Sequence, residues 1–333
     1  MGDIMVKNLS IDPTYNCNKR CLTCRCPDIA KFYPFSQFLD EAKMKELLLA
    51  FKHLGGNNVF IFGGEPLLTP ITYYILKKAK ELQLNTSIST NAICLSDNDI
   101  AKKLLSCRPD AIIISLIGTD EKAHEISKVL CGIQNIHKYK QTLLDLSAHI
   151  TVFSGNVYEI TDIFNLAIRY GIRKISFQYV SRTDVIDNES MMKMFPDCLD
   201  MKRSHWDLPG NILLKQEQLD ILQHEIANIE TIAMREEVEA ILDPVFTTNY
   251  DENTLLTGRF ALRGKCSLND IIVAPNGDLA LCPMLQHWVL SNINDIELAD
   301  YLGIINPYKE RLSKGDFFPI CYGCCKHTMF YND

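Results

Sequence analysis

The chain has no hydrophobic run long enough to cross a bilayer. Its most apolar stretch, Ala111 to Ile117, is seven residues long, where a spanning helix needs about twenty, so no membrane association is expected. An apolar signal core is missing too, because residues 1 to 16 carry polar and charged side chains throughout. That absence argues against secretion and a disulfide framework, and for reduced thiols in the cytoplasm. Positive charge is not in surplus: 34 Lys and Arg stand against 41 Asp and Glu, giving a net charge of -7 and a pI near 5.7. Non-specific nucleic-acid affinity comes from neutralising phosphates with Lys and Arg, so nucleic acid is not an expected partner. What the chain does have is 333 residues, 47% apolar and 23% charged, enough for a large core and more than one domain. It also has thirteen cysteines.

Three of these, Cys17, Cys21 and Cys24, stand at a CxxxCxxC spacing just after a short apolar strand signal, Leu9 to Ile11. Three close thiols in a loop suggest a metal. A structural zinc site pairs two CxxC-like knuckles to close four ligands, and this spacing does not make two. A 4Fe-4S cluster also takes four ligands, so three cysteines on one loop leave one iron open for something else. Further on, Asn58 to Phe62 reads as a buried strand running into Gly63-Gly64-Glu65-Pro66. Paired glycines let a backbone approach a ligand closely, and a carboxylate can pair with an ammonium group.

The first 182 residues alternate strand and helix signals. Strands are predicted at Thr86 to Ser89, Ala111 to Leu116, His149 to Phe153 and Lys174 to Tyr179. Helices are predicted at Ile71 to Leu82 after a Thr69-Pro70 start, up to Cys107 from a capping-box-like Ser96 with Asp99, at Gln134 to Leu146, and at Tyr158 to Tyr170. With the first two strands this makes six, the pattern of repeated βα units on a parallel sheet. From Thr183 to Thr257 the rhythm stops. Asp184 to Pro209 is irregular, and Leu214 to Leu242 has the apolar spacing of an amphipathic helix.

The cysteine triplet, the Gly-Gly-Glu-Pro segment and the six strand signals together resemble the radical SAM superfamily. The resemblance implies an α/β fold, a partial (β/α)6 barrel over residues 1–182 with ligands at the C-terminal strand ends. It implies a 4Fe-4S cluster on Cys17, Cys21 and Cys24, whose open iron takes the amino and carboxylate groups of S-adenosyl-L-methionine. Around that cofactor it places Gly63, Gly64, Glu65 and Pro66, with Glu65 toward the methionine ammonium group. It also nominates Ser89 and Asn91 after the third strand, Ser115 at the fourth, Ser154 and Asn156 beyond the fifth, and Gln178 and Tyr179 on the sixth. One departure is Thr23, where the family often has an aromatic residue. Residues 183–257 are then a helical bridging region.

Residues 258–333 form a cysteine-rich tail. Ile271 to Ala274 and Asp278 to Leu281 flank Pro275-Asn276-Gly277, a hairpin signal with the preferred Asn-Gly turn. A hairpin brings Cys266 and Cys282 together, and Cys321 with Cys324 would complete four ligands, Cys325 being the alternative. The pattern resembles the auxiliary-cluster domain of the SPASM/twitch branch in its shorter, twitch-like form, which implies a second 4Fe-4S cluster; a zinc ribbon is the alternative. Cys26, Cys94, Cys107, Cys131 and Cys198 read as small buried hydrophobes. Of these, Cys94 and Cys131 fall just past strand ends and are candidate hydrogen-atom donors.

By this resemblance the chain is an enzyme that cleaves S-adenosylmethionine to a 5'-deoxyadenosyl radical and abstracts hydrogen from a substrate carbon. Oxidation or epimerisation of a small hydroxylated or aminosugar-like metabolite is expected, with modification of a ribosomal peptide as the alternative. An external one-electron reductant such as flavodoxin or ferredoxin is implied as a partner. An expectation from another class keeps the metals and drops the catalysis, as an iron-sulfur electron-transfer protein.

Overall fold

A computed structural model describes residues 7–24, 26–33, 38–121, 125–140, 143–180, 200–201, 211–247, 250–258, 270–281 and 288–316. In chain order its elements are β1 (Asn8–Ile11), α1 (Cys26–Ile29), α2 (Glu41–His53), β2 (Asn58–Ile61), α3 (Ile71–Glu81), β3 (Asn85–Thr90), α4 (Asn98–Ser106), β4 (Ala111–Leu116), α5 (Ile126–Tyr139), β5 (Asp145–Val152), α6 (Ile160–Arg169) and β6 (Lys174–Tyr179). There follow β7 (Asp200–Met201), α7 (Leu219–Glu236), β8 (Glu239–Leu242), α8 (Glu252–Thr257), β9 (Asp270–Val273), β10 (Asp278–Ala280), β11 (Trp288–Val289), β12 (Ser291–Asn292) and α9 (Leu298–Ser313).

The six expected strands lie side by side in sequence order, β1 through β6, each parallel to the next. Alternation along each strand decides the two faces. Ile112, Ile114 and Leu116 of β4, and Ile175, Phe177 and Tyr179 of β6, are buried in the large apolar core, while Ile113, Ser115, Ser176 and Gln178 on the opposite face stay half-exposed. A closed eight-stranded barrel packs that inner face with side chains. Here the sheet is open, so the inner ends of the strands border a cavity. The alternation predicts the parallel βα sheet, and the α/β partial barrel is the fold that the resemblance implies.

The helices depart from the sequence reading in detail. Asp97, not Ser96, caps α4: its carboxylate accepts from the N–H groups of Asp99 and Ile100 at 2.7 and 3.3 Å, whereas the Ser96 hydroxyl donates to the Ile93 carbonyl. The helix expected at Gln134 to Leu146 is really the second half of α5 plus the start of β5. Leu143, which extends the apolar pattern, is 93% exposed. A helix not anticipated, α2, is capped by Asp40 and buries Met44, Leu47, Leu48 and Phe51. The bridging region is also not wholly helical, since β8 pairs in parallel with β6.

The expected hairpin forms: β9 and β10 are antiparallel, and Gly277 takes the left-handed φ of +90° that the tight turn requires. Less expected is its location. β9 pairs in parallel with β1, Asn8 opposite Asp270 through Ile11 opposite Val273, so one ten-stranded sheet carries residues from both sides of residue 258. A second, small apolar cluster of Tyr15, Cys26, Ile29, Tyr33 and Ala274 supports the loop after β1, with Tyr15 and Tyr33 edge to face at 4.8 Å. No helix among the described residues is long and apolar enough to cross a membrane.

Candidate functional site

A cavity of about 370 Å³ opens at the C-terminal ends of β1 to β6. Cys17, Lys19, Cys21, Thr23, Cys24 and Cys26 line it from the loop after β1, and Gly63 and Gly64 line it from the turn after β2. The remaining wall is the inner ends of four strands: Ser89 to Asn91, Ser115 and Ile117, His149 and Thr151, and Gln178 to Val180.

The glycines are required by backbone packing as well. Gly64 N–H donates to the Thr14 carbonyl at 2.7 Å and Glu65 N–H to the Asn16 carbonyl at 2.8 Å. A Cβ on Gly63 would lie 2.3 Å from Thr14 O, and one on Gly64 2.1 Å from Asn16 O. The two backbones touch, and the turn after β2 thereby holds the root of the cysteine loop.

Glu65 is wholly buried and does not line the cavity. Its carboxylate accepts from Leu67 N–H at 3.1 Å, the Thr90 hydroxyl at 2.8 Å and Asn91 N–H at 2.9 Å. Both oxygens are engaged, Oε1 twice and Oε2 once, so Glu65 fixes the end of β3. Burial pushes its pKa above the usual carboxylate range despite those donors. Pro66 is also buried, and its carbonyl accepts from the Thr72 hydroxyl.

Asn156 is no cavity residue either. Its amide bridges the carbonyls of Ile117 and Thr151, and its oxygen accepts from Phe153 N–H, so it locks the turn after β5. Ser154 is drawn aside by a hydrogen bond to the Asn211 carbonyl. Tyr179 does line the cavity, with its hydroxyl tied to the Leu255 carbonyl and to Leu214 N–H.

Neither candidate hydrogen-atom donor faces this space. Cys131 lies inside α5 with its thiol toward the Ser96 carbonyl, on the outer layer. Cys94 sits behind the cysteine loop against the Asn18 amide, and burial pushes its thiol up to about 11. Besides the three loop thiols, Cys26 lines the cavity, and it donates to the Gly63 carbonyl at 3.3 Å. Cys266, Cys282, Cys321, Cys324 and Cys325 lie outside the described residues.

Sequence reasoning missed Lys19, His149 and Thr151. The signal for the last two was the polar residue at every second position of β5, facing Ser115 on β4 and Ser176 and Gln178 on β6. His149 Nδ1 is 3.0 Å from Ser176 Oγ, and that hydroxyl also reaches the Ala148 carbonyl at 3.3 Å.

The three loop thiols fit a cluster. Burial raises the pKa of Cys17, and that of Cys21 to about 11, so thiolates there need a cationic centre to offset desolvation. A cubane takes one thiolate at each of several irons, and Cys17, Cys21 and Cys24 all line the one cavity. Cys17 Sγ already accepts from Lys19 N–H at 3.3 Å and from Asn91 Nδ2 at 3.7 Å.

The chain belongs to the radical SAM superfamily, whose family model matches residues 11–194. It is 31% identical over 140 residues to a GTP 3',8-cyclase of Limosilactobacillus fermentum, covering 41% of each chain. It is 24% identical over 175 residues to an AdoMet-dependent heme synthase of Nitratidesulfovibrio vulgaris, covering 51% of this chain and 47% of that protein. The match thus spans less than half the length of these curated relatives. In fold it is similar to native anSMEcpe with bound AdoMet and Cp18Cys peptide, with a TM-score of 0.63 and 15% identity over 95% of this chain and 85% of the other.

Proposed function

We propose that this cavity holds S-adenosylmethionine against a 4Fe-4S cluster on Cys17, Cys21 and Cys24, and presents a substrate carbon for hydrogen-atom abstraction. One observation carries the reading: the three thiols, the Gly63–Gly64 turn and the polar inner ends of four strands all line one cavity. When bound, the cluster and S-adenosylmethionine supply reductive cleavage to methionine and a 5'-deoxyadenosyl radical. The chain's own part is placement and exclusion of water. Gly63, Gly64, Ser89, Ser115 and Gln178 surround the cofactor, Thr90 and Glu65 hold the β3 end rigid, and Lys19 offers an ammonium group on the loop itself.

The substrate is a small hydroxylated or aminosugar-like metabolite, which is oxidised or epimerised. The described lining contains hydroxyls, amides, an imidazole and an ammonium group but no carboxylate, a set suited to the recognition of hydroxyl groups. The names of the two curated relatives, a GTP cyclase and a heme synthase, also point to small molecules. A second reading, peptide modification, draws on the likeness in fold to a protein with a bound peptide. Cys266, Cys282, Cys321 and Cys324 or Cys325 hold an auxiliary cluster that manages the electron, with 1–182 as core, 183–257 as bridge and 258–333 as cluster domain. An external flavodoxin- or ferredoxin-like protein in the cytoplasm supplies the reducing electron.

Anaerobic reconstitution with iron counting, followed by a 5'-deoxyadenosine assay with reductant, tests the reading. A cluster-replete sample that does not cleave S-adenosylmethionine overturns it in favour of a non-catalytic electron carrier. Deuterium transfer from labelled candidates into 5'-deoxyadenosine then identifies the molecule and the carbon.

A further inference from the structure

Asn91 is oriented with little freedom. Its backbone N–H is held by Glu65 Oε2 at 2.9 Å, and its side-chain oxygen accepts from Ile93 N–H at 3.0 Å. With the oxygen so engaged, the amide nitrogen faces the cysteine loop, donating to Asn18 Oδ1 at 2.7 Å and reaching Cys17 Sγ at 3.7 Å. Asn18 is itself oriented, since its own amide nitrogen lies against Cys94 Sγ at 3.7 Å. Glu65 therefore fixes the Asn91 main chain, and the Asn91 carboxamide reaches the Cys17 thiol.

We propose that Asn91 is a positioning residue whose N–H donation to the Cys17 sulfur raises the reduction potential of the cluster, and that it does not bind S-adenosylmethionine. The proposal rests on Cys17 being a cluster ligand. Reduction adds negative charge to the cluster and its thiolates, so a donor on a ligand sulfur stabilises the reduced form more than the oxidised one. The Lys19 backbone N–H acts on the same sulfur in the same sense, but only the Asn91 contact can be removed by changing a side chain.

The test is an EPR-monitored redox titration of the full-length, anaerobically reconstituted protein without S-adenosylmethionine, comparing wild type with Asn91→Asp and Asn91→Ala. The core-cluster signal is identified by its change when S-adenosylmethionine is added afterwards. Asn91→Asp keeps an oxygen for Ile93 N–H and loses the donor; Asn91→Ala loses both. Both midpoints are expected to move to more negative potential, about tenfold in the reduction equilibrium, or about 59 mV for one electron. Should both variants lose iron, Asn18→Ala, which removes the acceptor that aims the amide, is expected to shift the midpoint in the same direction. Unchanged midpoints at full iron content overturn the proposal. So does an unchanged midpoint with weakened S-adenosylmethionine binding, which would make Asn91 a cofactor contact. A wild-type protein that takes up no iron overturns the reading of the site itself, a separate failure.

Discussion

Replacing Gly64 with alanine should separate two backbones that the site needs in contact. The new Cβ would lie 2.1 Å from Asn16 O and 2.6 Å from both Asn16 C and Tyr15 O. All three are main-chain atoms, so no side chain can swing away. Relief requires the root of the cysteine loop to move, and that breaks the Gly64–Thr14 and Glu65–Asn16 hydrogen bonds. Overpacking costs about 1–3 kcal/mol and each lost backbone bond about 1 kcal/mol, so Gly64→Ala should destabilise by about 3–5 kcal/mol. At roughly 2–4 °C per kcal/mol for domains of a few hundred residues, the Tm should fall by about 10 °C. Iron uptake should fall with it, because Asn16 precedes Cys17. Gly303→Ala is the matched control: it lies inside α9 with nothing within 4 Å of its Cβ position, and should stabilise by about 0.5–1 kcal/mol. Scanning calorimetry and iron counting check both variants. Wild-type Tm and iron content in Gly64→Ala would refute the argument that this glycine is fixed by backbone contact.

Burial holds the Glu65 carboxyl above its ordinary pKa, so the folded state favours its protonated form. The resulting stabilisation is complete below the ordinary carboxylate pKa and is lost as pH rises through the raised value; urea unfolding of wild type and Glu65→Gln across pH should show it, and a pH-independent difference between them would contradict it. His149→Ala should reduce product formation at low substrate by about tenfold to a hundredfold, the effect of losing one buried hydrogen bond of about 1–3 kcal/mol, while S-adenosylmethionine binding by calorimetry stays near wild type. Replacing Cys17, Cys21 and Cys24 together with alanine should lower iron from about eight to about four per chain if a second cubane is present, and to near zero if it is not. Cys131→Ala should leave turnover and product stereochemistry intact, since its thiol faces Ser96 and not the cavity.

The six parallel strands were legible because each pairs a run of β-branched and apolar residues with a turn signal, and because the inner positions could stay polar. Ala111 to Leu116 was read to the residue. β8 was not legible: Glu239 to Leu242 continues the apolar spacing of α7, and the break between them is a left-handed φ of +52° at Glu237, a backbone event without a glycine to announce it. At the site, motif spacing brought Cys17, Cys21, Cys24, Gly63 and Gly64 to one cavity, but not the direction in which each side chain points. Glu65 and Asn156 carry the polarity a ligand would want, yet their atoms go to nearby main-chain groups and, for Glu65, the Thr90 hydroxyl, as buried polar atoms generally do. His149 escaped notice because a lone histidine in a strand has no local signature; only the register placing it opposite Ser115 and Ser176 gives it meaning.

The parallel pairing of β1 with β9 bears on the order in which this protein is made. Ribosomes release β1 and its cysteine loop first, and the strand that flanks β1 on the other side, from Asp270, emerges some 260 residues later. Until then β1 has β2 as its single neighbour and presents an open edge, and Asp12, at the base of the loop, lacks the Val273 carbonyl that its N–H bonds at 2.9 Å. Contacts so distant in sequence close slowly. The loop that would hold the iron is therefore synthesised well before the strand that helps to lock it in place, which favours metal loading after β9 has emerged over loading before it.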